Sequence, residues 1–182
     1  MRSSVKKNRE TLRYITAGAL IAALYTALTY ICSLLGLSSG LIQLRLSEAL
    51  CVLVTLTPAA VPGLWIGCLL SNLLTTANVW DMVFGSLATL LGAAGGLLLA
   101  RLSEREESRN GGNNRRAAVC RFLIPVPTVA ANTLVIPFVL KYAYGLGDTL
   151  WLLMVTVGIG EILSAWAGGV LLMWGIRKRI KK

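Results

Sequence analysis

Histidine is absent from this 182-residue chain. Imidazole-based zinc sites and Ser-His-Asp triads are therefore excluded. Charge is scarce as well: 14% of the residues are Asp, Glu, Lys or Arg, against roughly 25% in soluble domains. The four cysteines (Cys32, Cys51, Cys68 and Cys120) form no CxxC pair, and three lie in apolar stretches, so they read as small packing residues. No Walker-type phosphate loop occurs, which removes ATP hydrolysis by that route. No repeat at solenoid spacing is present.

Apolar residues make up 55% of the chain, more than a soluble globule of this length can hide, so a membrane is the natural solvent. The net charge of +10 does not point to nucleic acid, because the basic residues are gathered in blocks. Sixteen of the 18 fall in Arg2 to Arg13, Arg101 to Arg121 and Arg177 to Lys182; only Arg45 and Lys141 lie elsewhere. Cytoplasmic flanks of membrane helices carry lysine and arginine in this way. The first apolar stretch is too long for a cleavable signal peptide and is expected to stay as an anchor.

Clear spans cover about 15–35, 82–100, 122–140 and 150–176, each near the ~20 residues a bilayer needs. Region 44–74 is one long span or two. Keeping the basic N-terminus and the basic 101–121 stretch on one side requires an even number of spans between them, hence two. Pro58 and Pro62 favour a turn in "TPAAVPG" (57–63). The expected fold is an all-α integral membrane protein of six transmembrane helices in one domain, with both termini cytoplasmic. The spans are 13–36, 44–57, 60–76, 80–101, 120–142 and 149–176, and 101–121 is a charged, solvated cytoplasmic loop.

Polar residues fall in the outer half of these spans or at the midplane: Arg45 and Glu48 in the second, Ser71 and Asn72 in the third, Asp81 opening the fourth, Thr128 and Asn132 in the fifth, Glu161 in the sixth. Their clustering on one side implies an outward-open cavity, since intramembrane ionisable groups face the bundle interior and mark sites or pathways. Bland alternatives stand beside that reading. Arg45 and Glu48 are spaced to pair with each other, Asp81 to cap its helix, and Asn72 and Asn132 to bond between helices. Glu161 belongs to a stripe with Gly158, Ala165 and Gly168 that faces other helices, and no basic residue lies at its depth in the later spans. It needs a proton or a ligand that donates hydrogen bonds. Trp80 and Trp151 sit at outer helix ends, as an interfacial belt or as stacking surfaces at the cavity mouth. Ala19, Ala23 and Ala27 form a small-residue ladder that admits another helix, from this bundle or from a partner. Gly92 and Gly96 make a weaker GxxxG pattern.

A small basic six-helix protein with this ladder and an outward polar pocket resembles the substrate-binding S components of energy-coupling factor (ECF) transporters. The stretches "RLSEAL", "TPAAVPGLWIGCLLSNL", "DMVFGSLATLLGA", "NTLVIPFVLKYAYG" and "VGIGEILSAWAGG" resemble the QueT family, associated with uptake of queuosine precursors, over about residues 13–176. The resemblance implies a vitamin-type uptake module in the plasma membrane of a prokaryote. Such a module is not itself an enzyme and needs no cofactor. It captures a solute outside and associates with the membrane coupling protein EcfT and two cytosolic ATPases. Ala19, Ala23 and Ala27 would be the docking ladder. The implied ligands are 7-deazaguanines: the 7-cyano or 7-aminomethyl base, or queuine. Glu161 would accept two hydrogen bonds from the guanine-like edge, with Asn132 and Asn72 on the rest of that edge. Glu48 or Asp81 would pair with an aminomethyl cation, Glu48 being held in place by Arg45.

Three rivals have different signatures. A stand-alone ion-coupled secondary transporter would use Glu161 and Glu48 as its relay, although no inverted repeat is present. An intramembrane enzyme would need an Asp/Glu pair in place of histidine. An accessory subunit would have no ligand at all. The topology predicts that cysteines placed at 78 and 147 react with an impermeant label from outside, and one at 110 only from inside. Labelling of position 60 from outside would overturn the hairpin reading of 44–74.

Overall fold

Apolar side chains lie on every side of the long helices, and this decides what surrounds them. The computed structural model describes residues 2–37, 43–110 and 115–180, and every regular element among them is helical. Helix α1 is Arg2–Leu34, α2 is the 3-10 helix Leu46–Thr55, and α3 is Ala60–Thr75. A π-helical segment, Asp81–Gly85, opens α4, which continues as Ser86–Asn110. Then come α5 (Arg115–Phe122), α6 (Val126–Tyr142) and α7, which runs Leu150–Glu161, through a π-helical segment Ile162–Ala167, to Gly168–Ile180.

Four stretches are long and apolar enough to cross a bilayer: Val5–Leu34, Asp81–Arg109, Arg115–Tyr142 and Leu150–Ile176. Only 33% to 44% of each apolar window is buried inside the molecule. The remainder faces outward, which lipid tolerates and water does not.

Region 44–74, expected as two spans, forms two shorter apolar helices. The ten residues of α2 rise about 2.0 Å each and the 16 of α3 about 1.5 Å each. Each therefore falls short of a ~30 Å hydrocarbon core. A turn at 56–59 joins them. Pro62 sits in the first turn of α3, where a missing backbone donor removes no helical bond.

Helix α2 is the most enclosed element. Ser47, Glu48, Leu50, Cys51, Val52 and Val54 are buried, and the helix packs on α1, α3, α4 and α7. Small residues of α7 make room for it. A Cβ on Gly169 would stand 2.8 Å from Val52 Cγ1, and one on Gly160 only 2.2 Å from the Gln43 carbonyl oxygen. The Arg45 backbone N–H donates to Ser164 Oγ at 3.1 Å, fastening the approach to α2 along α7.

Similar close crossings set the other contacts. In α3, Cβ atoms on Gly63 and Gly67 would come within 2.7 Å of the Gly18 carbonyl oxygen and 2.8 Å of Tyr25 Cβ. In α4, a Cβ on Gly92 would meet Thr128 Cα of α6 at 2.6 Å, and one on Gly96 the Ile124 carbonyl oxygen just before α6 at 3.1 Å. The inward face of α1 therefore carries Gly18, Ala22 and Tyr25. Ala19, Ala23 and Ala27 lie on another face, exposed, so the ladder does not pack this bundle.

The charged 101–121 stretch differs from its expected form as a loop. Helix α4 continues to Asn110 and α5 begins at Arg115. Glutamate and arginine are good helix formers, and the two arms are tied together. Ser103 Oγ donates to the Ala117 carbonyl at 2.9 Å, and Arg121 pairs with Glu107.

Gly160→Ala should lower thermal stability in detergent by about 1–3 kcal/mol, because its new methyl meets backbone. Gly158→Ala, whose Cβ would meet only the Thr133 side chain at 3.3 Å, should cost clearly less in the same melting experiment.

Candidate functional site

A cavity of about 570 Å³ lies where α1 and α3 end and α4 and α7 begin. Its wall includes Thr29 and Ser33 of α1, Thr75 of α3 with Thr76 just after it, Asp81 of α4 and Val157 of α7. Gln43 and Arg45 line it before α2, and Tyr144 and Asp148 line it from the segment after α6. The α4–α5 hairpin, with its basic block, is at the far end of α4.

Arg45 and Asp81 meet at this cavity, with Nη2 3.6 Å from Oδ2. The expected Arg45–Glu48 pair is therefore corrected. Three-residue spacing places side chains together only inside a helix, and Arg45 precedes α2 with φ −115° and ψ 89°. Its side chain leaves in another direction. At the start of α4 it is Asn78 Oδ1 that accepts a backbone N–H, that of Trp80 at 3.0 Å. The other partners of Asp81 Oδ2 are the hydroxyls of Tyr144 at 3.3 Å and Thr76 at 3.4 Å. Burial, offset in part by Thr76, pushes the Tyr144 phenol above its ordinary range, so it is a donor at neutral pH.

Glu48 lies deeper, 1% exposed, and accepts a short hydrogen bond from the Tyr25 hydroxyl. Asn132 faces both Glu48 and Glu161, and the two carboxylates and Arg45 lie within electrostatic range of one another. Glu161 is 6% exposed, and its Oε2 is buried without a hydrogen-bond partner. Thr128 Oγ1 is buried in the same condition on α6. Burying a carboxylate oxygen with no donor is costly. This one lies where α7 passes from α-helical to π-helical winding, a distortion found often at functional sites.

The two groups of charges form tiers. Ile136 follows Asn132 by four residues, Val157 precedes Glu161 by four, and Thr29 follows Tyr25 by four. Each of these three lines the cavity, whereas Glu48, Asn132 and Glu161 do not. The acidic tier is thus about one helical turn, ~5.4 Å, below the cavity wall. Ile136, Leu140, Leu153 and Val157 form an apolar cluster at that level.

The remaining expected residues divide. Asn72 is fully buried; its Nδ2 donates to the Asp81 carbonyl oxygen at 3.0 Å, and its Oδ1 has no partner. It braces the start of α4 and does not line the cavity. Trp80 and Trp151 are 59% and 74% exposed and line no part of this cavity. Trp80 stacks on Phe84 along the outside. Neither stands at the mouth of this cavity, because both helices turn these positions away from the bundle. Sequence reading missed Tyr25, Thr76 and Tyr144. An aromatic residue in an apolar span carries no sign that its hydroxyl will meet a carboxylate.

The model of the QueT transporter family matches residues 15–178. A curated relative, the queuosine precursor transporter QueT of Lactococcus lactis subsp. cremoris, is 34% identical over 109 residues, 60% of this chain. The matched stretch spans 63% of that relative's length. No solved structure gives a significant match. With nearly the whole chain inside the family match, this protein belongs to the QueT transporter family.

Proposed function

We infer that this protein is the substrate-capturing S component of an ECF transporter, taking up a queuosine precursor of the 7-deazaguanine class. In this reading the cavity end faces outside and the basic termini and hairpin face the cytoplasm of a prokaryotic cell. The four long stretches then cross the membrane, and α2 and α3 are a short central pair that together complete a six-helix domain. Partner ATPases supply the energy through the coupling protein. Family membership supports transport of this ligand class, and the single observation that carries the site is the buried, unpartnered Oε2 of Glu161. A guanine-like edge presents adjacent N–H and NH₂ donors, which a carboxylate accepts in bidentate fashion. Asn132, facing the same carboxylate, completes the reading of that edge.

The exposed ladder of Ala19, Ala23 and Ala27 supports docking on a partner helix, since small residues let backbones approach closely. Ala23→Leu should abolish uptake and co-purification with the coupling protein while the isolated subunit still binds ligand. Loss of ligand binding as well would return the ladder to a role within the bundle.

Glu161→Gln keeps the size but replaces one acceptor oxygen by a donor that faces a ligand donor. A lost charge-assisted bond and a newly unpaired donor each cost about 1–3 kcal/mol. Binding of the base should weaken about 30-fold to 10⁴-fold, with stability retained because a buried charge is removed. Equilibrium binding on purified protein reads both. A stable variant with unchanged affinity would show that Glu161 does not read this edge. ATP-independent uptake by the isolated chain in vesicles would favour the stand-alone transporter instead.

A further inference from the structure

The α4–α5 hairpin lies at the end of the molecule away from the cavity and lines no part of it. Its positive charge is of one chemical kind. All six basic residues of 101–121 are arginine, whereas the two terminal blocks mix lysine with arginine. Topology needs only positive charge, which lysine supplies as well. Arginine's planar fork adds two-point recognition of a phosphate.

The hairpin also outruns the bilayer core. Counted from Asp81, the ~20 residues that cross a ~30 Å core end near Arg101, and α4 continues to Asn110. The two arms keep an antiparallel register. A Cβ on Gly96 would stand 3.1 Å from the Ile124 carbonyl oxygen, and Ser103 bonds Ala117. From 96 to 103 and from 124 to 117 the steps are equal. Leu102 and Val119 therefore stand together at the edge of the core. Arg115 and Arg116 stand about one helical turn, ~5.4 Å, further out. A headgroup layer about 5–7 Å thick on each side occupies that depth.

A cleft of about 700 Å³ runs along both arms. Leu102, Val119 and Cys120 line it toward the core, and Glu106, Arg115 and Arg116 line it toward water. Leu102, Val119 and both arginines are exposed. Glu106 does not cancel the charge, since six arginines against three glutamates leave the stretch at +3. Glu107 is already paired with Arg121. On the adjoining face of α4, Arg101, Arg105 and Arg109 outnumber Glu104 and Glu106.

We propose that this cleft binds an anionic phospholipid of the leaflet opposite the cavity. One acyl chain lies along Leu102 and Val119, and the phosphate accepts hydrogen bonds from Arg115 and Arg116. Basic pockets beside membrane helices hold anionic headgroups by this combination of charge and depth. A water-soluble anion would gain nothing from the apolar floor, and an acidic protein surface would not reach past the headgroups to Leu102. The proposal needs only that α4 crosses a membrane, so it stands whatever the transported solute.

Native mass spectrometry on the purified full chain in detergent tests it, with phosphatidylglycerol and phosphatidylcholine of identical acyl chains as probes. One phosphatidylglycerol should bind about tenfold or more tighter than phosphatidylcholine. Arg115→Gln with Arg116→Gln should cut that preference about fivefold or more. Lys6→Gln with Lys7→Gln removes equal charge from α1 and should leave it within about twofold. Both pairs are exposed, so each double variant should melt like the parent in phosphatidylcholine. Equal affinity for the two lipids in the unmodified protein would overturn the proposal. Equal loss in the two double variants would do the same, by showing diffuse attraction to a basic chain. Displacement of the lipid by glycerol phosphate at comparable concentration would overturn it in favour of a simple anion site.

Discussion

Glu48 is a carboxylate buried at the centre of a helix bundle, and the architecture around it answers the cost of that burial. Removing a charged oxygen from water without a donor is among the most expensive steps in folding. Here the donor is the Tyr25 hydroxyl from α1, and Asn132 of α6 stands on the other side. To bring these elements together, α2 must lie inside the bundle, with neighbours on nearly every side. Glycines in α3, α4 and α7 then follow as necessities, because the crossings leave no space for a Cβ. The polar centre and the glycine contacts are two consequences of one placement.

The same placement separates two kinds of negative charge. Asp81 belongs to the cavity wall and shares Arg45, Tyr144 and Thr76. Glu161 belongs to the interior and keeps an oxygen without a partner. An apolar cluster of Ile136, Leu140, Leu153 and Val157 lies near the level that divides them. Low dielectric beneath that cluster strengthens every electrostatic contact made there.

The outer surface obeys a different constraint. Large apolar residues such as Leu20, Leu34, Leu91 and Leu171 are exposed, as lipid contact requires. Against that background the exposed alanines of α1 stand out by their small size, not by their polarity. A smooth strip of methyl groups allows close approach of another helix, and packing rather than hydrophobicity drives such association in lipid.

How much of this was legible beforehand depends on the range of the interaction concerned. Composition and block charge identified a membrane protein, and apolar length located four long helices; these are sums over local residues, set by the chain whatever its neighbours. The buried position of Glu161 was legible too, because a small-residue stripe faces other helices and a carboxylate within it is costly in any packing. Conformation altered the rest. Arg45 joined Asp81 instead of Glu48 because the backbone before α2 is not helical. Region 101–121 became a paired helical hairpin through Ser103, Ala117, Glu107 and Arg121, contacts between residues 14 apart. Trp80 and Trp151 turned outward, and Tyr25 turned inward to meet a residue 23 positions away. Sequence by itself determined the solvent, the helices and the costly charges. Only the tertiary structure decided which donor answers which carboxylate, since that depends on distances between elements that no local pattern contains.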